Sequence, residues 1–120
     1  MISNKWNWRK INYLLINYFI IWIQIPLTDF TVENGATAYA LGSHKYHWDT
    51  EHWNEAKPVN YRFFKDNYIQ PEVSAGSFAA FHGNLMHSIM SNKTNSVRRG
   101  IIYRAIRQDA LDEMERLGLG

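Results

Sequence analysis

The chain carries its apolar residues in short runs rich in Ile, Val, Tyr, Phe and Trp, each cut off by Gly, Pro, Asn or Ser. They are IIWIQIPLTDF at 20–30, ATAYAL at 36–41, FAAFHGNLM at 78–86 and VRRGIIYRAI at 97–106. Runs of that length, with β-branched and aromatic side chains alternating with smaller or polar ones, suit strands rather than packed helices. Asn34-Gly35 between the first two runs predicts a tight hairpin turn, because that pair adopts the positive φ angles the turn needs. Gly42-Ser43-His44-Lys45 closes the second run, and Pro71–Val73 reads as a short strand. Residues 46–60 read as a loop, and 61–68 are ambiguous. Ser91 to Asn95 forms a polar turn ahead of the last strand. Asp109 then caps a short helix with Leu111, Met114 and Leu117 on one face and Gly118 as its stop. The fold class expected is mainly β and antiparallel, with a short C-terminal helix.

At 120 residues, this is one domain. With 46% apolar residues, 15% aromatics and a net charge of only +2, it is neither a disordered tail nor a basic nucleic-acid arm. The chain has no Cys, so thiolate metal sites, disulfides and Cys nucleophiles are excluded, and a metal would be held by His and carboxylates.

Residues 1–27 admit three readings. Lys5, Arg9 and Lys10 ahead of an apolar run at 11–27 resemble an anchor, but Asn12, Asn17 and Gln24 interrupt it, and it falls short of the ~20 apolar residues of a span. The run also reads as buried β structure. Alternatively, residues 1–19 are foreign to the domain, since their Asn, Ile, Lys and Tyr bias sets them apart from the rest of the chain. The chain therefore divides into 1–19, a core at 20–107 and a helical tail at 108–120. No membrane or nucleic-acid partner is expected, and cytoplasmic residence is the default expectation.

Chemistry concentrates in AGSFAAFHGNLMHSIMSNKTNSVRRGIIYR at 75–104. A hairpin turning at 91–95 would bring His87 and Arg98 onto one face of neighbouring strands, about 4.8 Å apart. An imidazole and a guanidinium so placed suit a small dicarboxylate, one end chelating a His-bound metal and the other gripped by the Arg fork. The bland alternative is a satisfied surface pair. Arg99, on the opposite side by strand alternation, competes with Arg98. By the same alternation His82 faces away from His87.

FHGNLMHSIMSNKTNSVRRGIIYR resembles the distal half of the phytanoyl-CoA dioxygenase family, which are Fe(II)- and 2-oxoglutarate-dependent oxygenases. LTDFTVENGATAYALGSHK resembles the same family's strand, Asn-Gly turn and Gly-Ser-His closure, and together the two blocks cover roughly residues 20–104. The resemblance implies part of a double-stranded β-helix, a cupin-like jelly roll. It implies a dioxygenase that hydroxylates a small-molecule substrate, with release of succinate and carbon dioxide. His87 matches the distal metal ligand and Arg98 the anchor of the far carboxylate of 2-oxoglutarate. Asn92 lies in the turn between them, and Gln24 on a strand that walls the co-substrate pocket. Gly35 and Asn34 match structural positions.

The family's His-x-Asp pair is expected ahead of the Asn-Gly turn, where this chain has Trp6-Asn7-Trp8. A chain lacking those proximal ligands would be a truncated oxygenase, or a non-catalytic relative that binds a carboxylate without iron. His47 and Asp49, in His47-Trp48-Asp49, are the alternative candidates to join His87 in a 2-His-1-carboxylate set. The competing reading places both in a solvated loop.

Overall fold

The computed structural model describes residues 19–45 and 58–118. Among the described residues, six strands form two antiparallel sheets of three. In the first, β1 (Ile20–Pro26) lies between β4 (Ala79–His82) and β6 (Gly100–Ile106). In the second, β2 (Thr37–Ala40) lies between β3 (Tyr68–Ile69) and β5 (His87–Ile89). A helix α1 (Pro58–Asn67) leads into β3, and α2 (Gln108–Arg116) follows β6.

Contacts across the gap show the sheets face to face. Rings of Tyr39 and Phe81, from opposite sheets, meet edge-on at 4.9 Å between centroids. The Thr37 and Tyr39 hydroxyls both donate to the carboxamide of Gln24 on β1. The period-two alternation of β1 therefore turns Ile20, Trp22, Gln24 and Pro26 inward. Ile20, Gln24 and Pro26 are buried, while Ile21 on the other face is exposed. In register, Phe81 and Arg104 flank Trp22, Ala79 and Ile102 flank Gln24, and Gly100 lies beside Pro26. All four residues of β2 are buried, including Ala38 and Ala40, small enough to let the layers approach.

The expected hairpin at Asn34-Gly35 is replaced by a crossing between sheets. A two-residue hairpin of that kind needs positive φ at both central residues. Here Gly35 has φ 89°, and no non-glycine residue among those described has positive φ. The Asn34 carboxamide instead ties up the connection, accepting from the Thr31 amide at 2.8 Å and donating to the Asp29 carbonyl at 2.7 Å. The other expected hairpin is also replaced. β5 pairs with β2 and β6 with β1, so the turn at 91–95 carries the chain from one sheet to the other. The strand expected at 78–86 is shorter, β4 ending at His82 before a turn at Gly83 and Asn84, where the Gly83 amide donates to the Ile20 carbonyl at 2.8 Å, and β5 begins only at His87.

Residues 58–67 form a helix the sequence reading did not assign. Its first position is Pro58, where a preset φ and a missing N–H cost nothing. α2 starts at Gln108 after Arg107, with Asp109 inside its first turn and ion-paired to Arg107 rather than capping the helix. Gly118, with φ 70°, ends it as expected.

Of the apolar run at 11–27, residues 20–26 are strand; residues 11–18 lie outside the described residues. Among the described residues no helix is long and apolar enough to cross a membrane.

Two glycines separate backbone strain from steric room. A Cβ on Gly35 would lie 2.3 Å from the Met90 carbonyl oxygen, whereas one on Gly42, with φ 78°, would meet nothing within 4 Å. Gly42→Ala should then cost about 1 kcal/mol, the left-handed penalty alone. Gly35→Ala should cost several kcal/mol, since the turn must move off β5's exit. Urea midpoints of the two variants check the ranking, and equal losses would contradict it.

Candidate active site

His87 opens β5, opposite Tyr39 in the register of the second sheet. Its ring is half-buried against two aromatics of the facing sheet, Phe81 at 4.8 Å and Trp22 at 6.4 Å between centroids. Nδ1 lies 2.9 Å from the Leu85 carbonyl oxygen. A carbonyl only accepts, so Nδ1 carries the proton and donates, leaving the Nε2 lone pair as the free donor to a metal. The packing and that hydrogen bond together fix the ring's orientation.

Gln24, 6% exposed, sits at the centre of the gap. Its Oε1 accepts from Thr37 Oγ1 at 3.1 Å and from Tyr39 Oη at 3.2 Å. Because both hydroxyls converge on the oxygen, the amide N–H groups are turned away from them. They make no hydrogen bond to a described residue, and among the described residues no side-chain polar atom is sealed in without a partner. Burial pushes the Tyr39 phenol above its ordinary pKa, with the Thr37 hydroxyl pulling the other way. The phenol is therefore a firm donor at neutral pH and helps hold Gln24 in this orientation.

Arg98 precedes β6 by two residues, on the parity that along β6 gives Gly100, Ile102 and Arg104 the inward side. Its guanidinium stacks 4.3 Å over the ring of Phe30, which is 2% exposed. Phe30 is fixed by paired backbone bonds with Val73, and a Cβ on Gly100 would come within 2.6 Å of its ring. The glycine at 100 is what lets the ring lie beneath Arg98. No described carboxylate pairs with Arg98. Arg99, of opposite parity, is exposed, and its backbone is tied to Leu27 and Thr28.

Asn92 has a different employment from the one expected. Its Oδ1 accepts from the Thr94 amide and hydroxyl, and its Nδ2 donates to the Ser96 carbonyl at 2.8 Å. With the carboxamide hydrogen-bonded within its own exposed turn, Asn92 shapes the crossing between β5 and β6. His47 and Asp49 lie outside the described residues. Among the described residues no three His, Asp or Glu side chains gather to hold a metal. His82 sits at the end of β4, its Nδ1 accepting from the Asn84 amide and its ring 5.5 Å from His44.

His87 thus stands on one sheet and Gln24 on the other, rather than on neighbouring strands, while Arg98 lies over Phe30 ahead of β6. The sequence reading missed Thr37 and Tyr39, which orient Gln24, and Phe30, which carries Arg98. The alternation Thr37-Ala38-Tyr39 within 36–41 was the available signal for the first two.

Residues 6–100 match the model of the phytanoyl-CoA dioxygenase (PhyH) family, and the chain belongs to that family. The match takes in residues 6–19. The chain is similar to the dioxygenase olcK of Penicillium canescens, 32% identical over 73% of this chain and 24% of that protein. It is also similar to the iron/alpha-ketoglutarate-dependent dioxygenase ausO of Aspergillus calidoustus, 37% identical over 53% of this chain and 20% of that one. Among solved structures it resembles the non-heme alpha ketoglutarate dependent epimerase SnoN from nogalamycin biosynthesis. There the TM-score is 0.59 at 20% identity, covering 72% of this chain and 32% of the other, a likeness of fold. The chain spans a fifth to a quarter of the length of the curated relatives it matches.

Tyr39→Phe removes a donor to Gln24 and should cost about 1 kcal/mol at neutral pH. The phenol's raised folded pKa makes this contribution complete below the unfolded value of 10.0 and lost as pH rises through the folded one. The stability gap between wild type and Tyr39→Phe should hold steady below about pH 9 and narrow above pH 10. Urea melts across that range check it, and a gap that widens would contradict it.

Proposed function

We propose that this chain is part of an Fe(II)- and 2-oxoglutarate-dependent dioxygenase that oxidises a small molecule. In this reading the paired sheets belong to a double-stranded β-helix with its core at 20–107. The observation that carries it is the His87 ring, whose Nδ1–H is bound to the Leu85 carbonyl and whose face packs on Phe81 and Trp22 of the facing sheet, leaving Nε2 for a metal. Neutral imidazole oriented this way is a good donor to Fe(II). One ligand fits; the carboxylate and second imidazole of a 2-His-1-carboxylate set have to come from outside the described residues. His47 and Asp49 are one source. The other is a His-x-Asp pair on a segment of a longer protein, a reading favoured by the short span of the relatives that this chain covers.

When bound, the iron and co-substrate supply dioxygen activation, 2-oxoglutarate leaving as succinate and carbon dioxide while the substrate is hydroxylated. The residues of this chain do the holding. Arg98 grips the far carboxylate with its fork, steadied from below by Phe30. Gln24 offers its amide N–H groups to an oxygen of the co-substrate, kept in that orientation by Thr37 and Tyr39. Phe81 and Trp22 shield the iron side of the gap from water. A cytoplasmic setting, where Fe(II) stays reduced, suits this chemistry.

His87→Ala should abolish Fe(II) binding measured anaerobically by calorimetry, with little loss of fold. Arg98→Ala should weaken 2-oxoglutarate binding by roughly 2–4 kcal/mol, as when one partner of a charged pair is removed, while Arg99→Ala should leave it near wild type. Retained iron affinity would remove His87 as a ligand. Binding of 2-oxoglutarate without iron would favour the non-catalytic carboxylate-binding relative, and equal losses at both arginines would reassign the anchor.

A further inference from the structure

The Gly42-Ser43-His44 closure follows β2 and lies against the turn that leads into His87. Gly42, with φ 78°, turns the chain off the strand. The Ser43 side chain, 0% exposed, then comes back to the entrance of β5, where its Oγ accepts from the Met86 amide at 2.7 Å. In the register that pairs Tyr39 with His87, the Ala40 amide donates to the Met86 carbonyl at 2.9 Å. An antiparallel pair would return the Met86 amide to the Ala40 carbonyl, but the serine hydroxyl takes it instead. A buried side-chain oxygen therefore holds the residue next to the imidazole.

The Met86 N–H shares a peptide unit with the Leu85 carbonyl, which accepts from His87 Nδ1 at 2.9 Å. That unit is planar and trans, so its N–H and C=O point in opposite directions and turn together. Drawing the N–H to Ser43 aims the C=O at the imidazole. The turn before it is fixed as well: the Leu85 amide donates to the His82 carbonyl at 2.9 Å, and the Asn84 carboxamide to the His44 carbonyl at 3.1 Å. Hydrogen bonds in series also polarise one another. A peptide that donates to Ser43 has a more negative carbonyl, which is a better acceptor for Nδ1–H. Keeping the proton on Nδ1 is what leaves the Nε2 lone pair for a metal.

We infer that Ser43 is a positioning residue for His87: through the Leu85–Met86 peptide, its hydroxyl sets the tautomer and the aim of the imidazole. The functional weight of this coupling rests on the proposed reading of His87 as a metal ligand, whereas the coupling itself belongs to the chain without metal.

The test is nitrogen-15 NMR of the full chain, first without metal and then with Mn(II) alone, on the neutral His87 ring. Its signals are identified by their loss in His87→Ala. Wild type should carry the proton on Nδ1. Ser43→Ala should move a measurable share of the ring to the Nε2–H tautomer. It should also raise the Mn(II) concentration that broadens Nε2 by roughly tenfold, the low end for losing a ligand's outer hydrogen-bond partner. Ser43→Thr, which keeps the hydroxyl, should stay close to wild type in both. Far-UV circular dichroism checks each fold; should Ser43→Ala not fold, Ser43→Cys, whose sulfur is a weaker acceptor, decides by the same readout. A serine with a structural role alone would lower the urea midpoint and leave tautomer and Mn(II) response as in wild type, and that result overturns the inference. So would an Nε2–H ring in wild type, or a shift in Ser43→Thr equal to that in Ser43→Ala. A tautomer that depends on Ser43 in a chain whose Nε2 ignores Mn(II) would sustain the coupling and remove His87 as a metal ligand.

Discussion

The carboxamide of Gln24 ties one sheet to the other. It is a polar group 6% exposed in the middle of β1, and burying an amide costs several kcal/mol unless its hydrogen bonds are made. Two hydroxyls from β2 meet its oxygen. That pairing sets the height of β2 over β1, and with it Tyr39, whose register partner is His87. The imidazole's distance from the floor of the gap thus follows from a bond two strands away. The same pairing turns the carboxamide nitrogen from its neighbours, so one interaction both joins the layers and presents donors between them.

Arg98 depends on a second, separate support. Phe30 is pinned through its backbone to Val73, Gly100 makes room for its ring, and the guanidinium rests on that ring. Both supports come from residues with no chemistry of their own. A glycine, a phenylalanine, a threonine and a tyrosine determine where the imidazole, amide and guanidinium stand, in keeping with the need for functional groups to be held by packed neighbours.

Strand existence was legible in the sequence because Ile, Trp and Tyr alternate in 20–26 and 100–106, and those ranges are strands. Pairing was not. Asn34-Gly35 looks like a hairpin turn locally, yet the long connection from Pro26 to Thr37 leaves the turn free to pivot the chain into the other sheet. The turn at 91–95 does the same between His87 and Arg98. The local bonding of Asn92 was not legible for a related reason. A side chain in a Ser-Asn-Lys-Thr-Asn turn finds backbone and hydroxyl partners within a few residues, as the Asn92 carboxamide does. The helix at 58–67 escaped because its sequence has no apolar stripe, while Pro58, its one starting signal, also reads as a loop residue.

That His87 offers Nε2 to a metal held between the sheets beside Gln24 is most directly tested by nitrogen-15 NMR of the full chain with Mn(II) and 2-oxoglutarate. The His87 Nδ1 should be the protonated nitrogen before addition. On addition, the Nε2 resonance of His87 and the Gln24 side-chain amide should broaden beyond detection while the Arg99 signals stay sharp. A His87 ring protonated at Nε2, or a Gln24 amide indifferent to the paramagnetic ion, would contradict the inward-facing imidazole on which the oxygenase reading stands.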